Sequence, residues 1–178
     1  ARTASQVLAD FNSRSNPEGV SQQQGNNNQN MPAALSNGLL GYWKADQSSW
    51  NGTIGEVLDS SGNALDGTAQ GGATTTASGK FNYAANLDGT NDYVSVSHSG
   101  NLNLTNAVTL SAWIYINSLS ASDAGIARKD GEYSLRLINN GKIGGKAYGC
   151  TGVQSASTPS TGSWHHVAWT YDLKINKV

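Results

Sequence analysis

The chain has 178 residues, a formal net charge of −1, 13% charged residues and 21 glycines. This length suits one ordinary domain with a short appendage, and the near-neutral charge excludes bulk electrostatic attraction to nucleic acid or acidic membranes. No apolar run approaches the roughly 20 residues that span a bilayer, so we expect partners to be recognised by local surface chemistry.

The first 37 residues differ in composition from the rest of the chain. Residues 1–16 carry apolar side chains at helical spacing up to Pro17, which predicts a short amphipathic N-terminal helix. Residues 17–37 are rich in Gln and Asn without periodicity, which predicts a polar linker. The helix either caps the domain or is the end of a longer helix in a membrane or filament core. We therefore expect one domain over residues 38–178.

From Gly38 onward, strand-length blocks of apolar and aromatic residues are separated by turn clusters, as in all-β sandwiches. The turn clusters cover residues 59–68 and 71–80. Predicted strands lie at residues 39–46, 81–89, 92–98, 107–116, 132–138, 142–149 and 163–172.

Two of these strands have a clear inward face. One alternates aliphatic residues with polar and aromatic ones, which is the period-2 pattern of a strand against a core. Its aliphatic residues are Val108, Leu110, Ala112, Ile114 and Ile116. Another strand places Tyr133, Leu135 and Leu137 on one face, and residues 139–141, Asn-Asn-Gly, predict a hairpin turn after it.

Six phrases, taken in order, carry a family resemblance. They are GLLGYWKAD at 38–46, DSSGNALDGT at 59–68, GKFNYAANLDGTNDYV at 79–94, LNLTNAVTLSAWI at 102–114, DGEYSLRL at 130–137 and WHHVAWTYD at 164–172. Together they resemble the LamG-like jelly roll of the concanavalin A type. The resemblance implies an all-β, two-sheet antiparallel jelly-roll sandwich that follows the short N-terminal helix and linker.

The resemblance also implies further strands after residue 172, where only six residues follow. Without those strands the sandwich would keep unpaired edges, which favour strand addition or aggregation. We therefore expect either that the molecule continues past Val178 or that a second chain completes the sandwich.

Asp59, Asn63 and Asp66 lie in one loop, whose glycines allow the backbone to turn so that side chains can converge. The resemblance implies that Asp88 lies close to them. Calcium takes six to eight oxygen ligands from carboxylates, amides and carbonyls. These four residues therefore predict a structural calcium site. The alternative is that the same side chains only stabilise turns.

Catalytic motifs are absent from the sequence. A glycosidase needs two carboxylates across a cleft, and the E-x-D-x-x-E signature of concanavalin-fold glucanases is missing. Asp130 and Glu132 are interpreted as a solvated turn. His165 and His166 are adjacent in a strand, so their side chains point to opposite faces and cannot share one metal. We therefore expect no enzyme.

Ligand binding is expected at aromatic residues beside polar partners. Trp50 and Asn51 lie in the polar loop SSWNGT, and Tyr148 lies near a turn, so these three are the candidate ligand-binding residues. The alternative for Trp50 is a ring that closes one end of the core. The single cysteine, Cys150, is either a free thiol or bonded to another chain.

These expectations combine into two hypotheses of function. The first is an extracellular or cell-surface, non-catalytic module that binds carbohydrate or protein through loops at the sandwich rim, which the predicted calcium would stabilise. The second is a structural subunit or head domain of a pilus, fibre or virion, assembled by strand or helix packing between chains. The net charge predicts no nucleic-acid partner.

Overall fold

The computed structural model describes residues 38–119 and 122–172. The predicted N-terminal helix and linker lie outside the described residues, so their boundaries stay predictions. Among the described residues, no helix is long and apolar enough to cross a membrane. The described residues fall into two compact units, 38–102 and 103–172, and each unit is described by itself.

The first unit contains four short strands and one turn of 3-10 helix. The strands are β1 (Gly67–Gln70), β2 (Thr74–Thr76), β3 (Ala84–Asn86) and β4 (Tyr93–Val96), and the 3-10 turn covers Gly100–Leu102. β1 pairs antiparallel with β4, and β2 pairs antiparallel with β3. The core of this unit is formed by Trp50, Val57, Ala69 and Ala73, with Ala45 and Val94 packed against them.

Two predictions for the first unit are wrong. Residues 39–46 form no strand; only Trp43 makes an isolated bridge, to Asp59. The reason is that Tyr42 uses its backbone to bind the 59–60 loop, donating to the Asp59 carboxylate and accepting from Ser60 N. Conversely, β2 and the first two residues of β1 lie within segments interpreted as turns. Their inward residues are small or polar, so they lack the hydrophobic alternation that signals a strand.

The second unit contains six strands in two antiparallel sheets. They are β5 (Ala107–Tyr115), β6 (Ala124–Lys129), β7 (Tyr133–Leu137), β8 (Ile143–Ala147), β9 (Val153–Gln154) and β10 (Trp164–Asp172). β5 pairs with β10 over their full length, from Ala107↔Asp172 to Tyr115↔Trp164. The other sheet has the order β6-β7-β8-β9.

The two sheets of the second unit share one hydrophobic core. Buried side chains come from β5 and β10 on one side and from β7 and β8 on the other; they are Val108, Val167, Trp169, Tyr133, Leu135 and Ala147. The aliphatic residues of β5 pack against this core, and Tyr133, Leu135 and Leu137 are buried. The predicted inward faces of β5 and β7 are therefore confirmed.

The predicted hairpin between β7 and β8 is also confirmed. Gly141 has φ = 80°, and its N–H donates to the carbonyl of Ile138 at 2.8 Å. A positive φ is readily adopted by glycine, which explains the Asn-Asn-Gly sequence at this turn. The expectation of a mostly β fold with antiparallel sheets is borne out in both units, and the described residues contain no α-helix.

Candidate functional site

Two neighbouring turns at one end of the β6-β7-β8-β9 sheet form the candidate site. The β6–β7 turn covers residues 129–132, and the turn after β8 covers residues 147–150. They are joined by a hydrogen bond of 2.6 Å from Tyr148 N to the carbonyl of Glu132. We call residues 128–132 and 147–150, together with Asn103, the Tyr148 rim.

Tyr148 is the most exposed aromatic residue of the described chain, with 82% of its surface accessible. Gly149 follows with φ = 72°, and Cys150 N donates to the carbonyl of Ala147 at 3.2 Å, so the turn holds Tyr148 at its tip. An exposed phenol ring provides a flat apolar face with a polar hydroxyl at its edge. The structure therefore keeps Tyr148 available as a stacking surface.

A lysine and a glutamate are paired beside this ring. Lys129 Nζ contacts both Glu132 Oε1 and Asn103 Oδ1, and only 17% of the Lys129 side chain is exposed. Glu132 Oε2 is covered and has no hydrogen-bond partner among the described residues. Burial, and secondarily the nearby Glu132 charge, raise the pKa of Tyr133. Because Lys129 is paired with Glu132, the positive charge of the lysine is balanced within the Tyr148 rim.

A second pair, Arg128 and Asp130, lies on the same turn. Arg128 Nε is 3.3 Å from Asp130 Oδ1, and both side chains are largely exposed. The interpretation of Asp130 as part of a solvated turn agrees with this exposure. The interpretation of Glu132 needs correction, because its carboxylate is partly covered and paired with Lys129. Sequence reasoning missed Lys129 and Asn103, since nothing in their spacing shows that they meet at Glu132.

The other two candidate ligand residues, Trp50 and Asn51, belong to the first unit. Trp50 is only 6% exposed and packs in the core, with its Nε1 3.3 Å from Gln47 Oε1. The prediction of an exposed Trp50 is therefore corrected; its ring closes the core of this unit. Asn51 is exposed, and its N–H donates to the Glu56 carboxylate at 2.7 Å.

Three of the four predicted metal residues lie in the 59–66 loop, which Asp59 stabilises through hydrogen bonds. Asp59 Oδ1 accepts from the backbone N–H groups of Tyr42 and Ser61, at 2.9 and 2.8 Å. Its Oδ2 accepts from Leu65 N at 3.0 Å and from Ser61 Oγ at 2.7 Å. Partial burial acts to raise the pKa of Asp59, but these hydrogen bonds outweigh it and hold the pKa below its ordinary value of 3.8.

This arrangement does not fit a calcium site that includes Asp59. Each carboxylate oxygen has two acceptor positions, and at Asp59 all four are used by protein donors. Asp66 accepts from Asp59 N, and Asp88 accepts from Thr90 N. Asn63 donates to the carbonyls of residues 39 and 40. In the part of the chain that is described, no three His, Cys, Asp or Glu residues are grouped to hold a metal.

The histidines and the cysteine have separate surroundings. His165 Nε2 lies 2.9 Å from the carbonyl of Ser160, whereas the ring of His166 lies 5.4 Å from that of Trp113. The two imidazoles therefore do not converge, as expected for neighbours in a strand. Cys150 is a free thiol in the chain, with its sulfur 3.3 Å from the Tyr171 hydroxyl.

A groove of about 370 Å³ opens between β8, β9 and β10 in the second unit. Its walls include Ile143, Val153 and Val167, and its base includes the buried ring of Trp169. The indole N–H of Trp169 has no hydrogen-bond partner among the described residues. A buried donor without an acceptor is costly.

Comparison with protein families gives one match. The model described as "Concanavalin A-like lectin/glucanases superfamily" matches residues 88–178, which is just over half of the chain. This range contains β4 to β10 and all of the Tyr148 rim. Comparisons with curated proteins and with solved structures gave no significant match.

Proposed function

We propose, because the chain belongs to the concanavalin A-like lectin/glucanase superfamily, that it is a non-catalytic, extracellular recognition module that binds carbohydrate at the Tyr148 rim. The observation that carries this proposal is the exposed ring of Tyr148 at the tip of a turn held by backbone hydrogen bonds. Sugar rings present flat faces of C–H groups, which stack on aromatic side chains, while neighbouring polar groups bind the hydroxyls. Asn103, Arg128 and Asp130 supply such polar groups.

The two sheets that share a core in the second unit support a jelly-roll sandwich as the complete architecture. In such a fold, turns at one end of a sheet come together as a rim, as the turns around Tyr148 and Glu132 do. Binding at the rim needs no calcium at Asp59, whose carboxylate is already satisfied by protein donors.

The absence of catalysis is part of the proposal. Glycoside hydrolysis uses one carboxylic acid as proton donor and a second carboxylate as base or nucleophile on the other side of the bond. At the rim, Glu132 is paired with Lys129 and Asp130 with Arg128. Both carboxylates lie on one turn and contact these cations, whereas cleavage needs two carboxylates that face each other across the bond.

Tyr148→Ala tests the proposal. We expect about 2- to 13-fold weaker retention on neutral glycans, since an aromatic stacking contact contributes about 0.5–1.5 kcal/mol. The thermal midpoint should stay unchanged, because the ring is exposed. Binding to a glycan array and differential scanning fluorimetry measure the two quantities.

Two control variants sharpen this test. Tyr148→Phe keeps the ring and should keep most of the binding. Tyr93→Ala removes another exposed tyrosine, 55% accessible on β4, and should have no effect on retention. If Tyr148→Ala binds glycans as tightly as the unchanged protein, the rim is not the binding surface.

The groove beside β10 favours a second candidate, a structural subunit assembled by strand addition. β9 and β10 each pair with one neighbour among the described strands, and the groove lies between them. A strand from another chain would form backbone hydrogen bonds with the open edge of β9 or β10. Multi-angle light scattering decides: a ladder of oligomer masses supports this candidate, and a single monomer mass excludes it.

A further inference from the structure

The charged residues of the Tyr148 rim point to the class of glycan that it recognises. We infer that the rim selects neutral oligosaccharides and excludes sulfated and uronic-acid glycans. This inference rests on the proposed function, because it specifies the ligand of the same surface. Its basis is the pairing of each cation on the β6–β7 turn with an acid, so that the turn carries no net charge.

Lys129 is the residue that an anionic ligand would need. Its ammonium group contacts Glu132 and Asn103, and little of the side chain is exposed. Two of its three N–H donors are therefore used inside the protein. A sulfate or carboxylate group that reached the remaining donor would lie a few ångströms from the Glu132 carboxylate, whose charge repels it.

Arg128 is the other cation, and it also has an acid beside it. Asp130 lies 3.3 Å from the guanidinium, on the solvent side of the same turn. An approaching anion meets the Asp130 charge as well as the Arg128 charge, so the net attraction is small. The net charge of the whole chain is −1, so its overall field adds no attraction for an anion.

Neutral sugars match the groups that remain accessible. Tyr148 offers a ring face, and the exposed atoms of Asp130 and Arg128 accept from and donate to hydroxyl groups. Hydroxyl groups act as donor and acceptor at once, so they pair with both members of an ion pair without breaking it. A neutral oligosaccharide therefore binds at this rim without the repulsion from Glu132 and Asp130 that an anionic one meets.

The test is a panel of immobilised glycans with matched charge variants. Neutral probes are malto-, cello-, manno- and galacto-oligosaccharides, and acidic probes are heparin fragments and oligogalacturonate. We expect the unchanged protein to bind at least one neutral probe ten times more tightly than any acidic probe. Glu132→Gln and Asp130→Asn each release a cation and should raise binding to acidic probes about 3- to 10-fold at low salt.

Asp123→Asn is the matched control. It releases Arg136, 3.0 Å away, with the same change in net charge, but at the opposite end of β6 and β7. Acidic-probe binding should not rise in this variant. An equal rise in Asp123→Asn and Glu132→Gln would show a bulk charge effect and overturn the inference.

The remaining outcomes separate the inference from the function on which it rests. If the unchanged protein prefers acidic probes, the inference fails while glycan recognition at the rim stands. If neither class of probe binds, the proposed function fails and takes the inference with it. The thermal midpoint of each variant shows that a loss of binding is not a loss of folding.

Discussion

The Gly145→Ala substitution is expected to destabilise the second unit by about 3 kcal/mol, which corresponds to about 6–12 °C in the thermal midpoint. A Cβ atom at this position would lie 2.1 Å from Cδ1 and 2.4 Å from Nε1 of Trp169. Neither side can move away easily, because Trp169 is buried and β8 is paired on both edges. Chemical and thermal unfolding monitored by tryptophan fluorescence measure the loss.

Gly125→Ala is the matched control for this prediction. It makes the same change in the same sheet, but the nearest atom to its new Cβ would be 3.7 Å away, which is ordinary contact. We expect a change below about 0.5 kcal/mol there. The effect of Gly145→Ala should also shrink in a Trp169→Leu background, because the clash and the ring are coupled. Equal midpoints for Gly145→Ala and Gly125→Ala would contradict the packing described for the core.

The second large effect is expected at Asp59. Asp59→Ala removes the acceptor of four donors, three of which are backbone N–H groups of residues 42, 61 and 65. Hydrogen bonds to charged groups contribute about 1.5–3 kcal/mol each, and partial access of water offsets a part of this. We expect a loss of about 2–3 kcal/mol in the first unit, with faster amide hydrogen exchange at Tyr42 and Leu65.

The Asp59 contribution should depend on pH in a defined direction. Its pKa is lowered in the folded chain, so the stabilisation is complete above the ordinary value of 3.8 and is lost as the pH falls below it. The difference in midpoint between the unchanged protein and Asp59→Asn should therefore be largest near neutral pH and shrink toward pH 2. The exposed Asp130→Asn is the control, with little difference at any pH.

Adding a chelator tests whether the 59–66 loop is stabilised by a bound metal or by protein hydrogen bonds alone. Because Asp59 is satisfied by protein donors, the midpoint should be the same with calcium and with EDTA. A midpoint that falls by several degrees in EDTA, in the unchanged protein but not in Asp59→Ala, would show that calcium does bind this loop.

Period-2 patterns predicted strands only where the alternating residues were large. β5 and β7 were recognised because Val108, Leu135 and their neighbours are bulky and meet the core. β1 was missed because its buried residues are Gly67 and Ala69, which pack closely without a hydrophobic signature. β6 was missed because its only large apolar residue is Ile126. Alternation in the sequence therefore identifies strands whose inward residues are large, and it misses strands whose inward residues are small.

The candidate site was predictable in part. Tyr148 was identified from an aromatic residue near a turn, and the structure places it at the tip of that turn. Trp50 shows the same local signal, yet it is buried, because the loop around it folds back on Val57 and Ala69. Whether a loop aromatic points outward depends on contacts distant in sequence. The Lys129–Glu132–Asn103 cluster depends on such contacts as well.

The ion pairs of the Tyr148 rim bear on the affinity with which the rim would bind a ligand. Paired ions hold side chains in place, which reduces the ordering cost when a weak ligand binds. Stacking on one tyrosine and a few hydroxyl contacts give modest affinity for a single sugar. Tight attachment to a surface would then come from several copies acting together.

Residue-level mapping of glycan binding shows whether the Tyr148 rim is the binding surface. In ¹H–¹⁵N spectra titrated with the neutral oligosaccharide that the array selects, we predict shifts concentrated at residues 128–132 and 147–150, with no change in the sugar over time. Shifts concentrated in the 59–66 loop or along the groove beside β10 would contradict a binding surface at Tyr148. Cleavage of the oligosaccharide during the titration would contradict a module that recognises without catalysis.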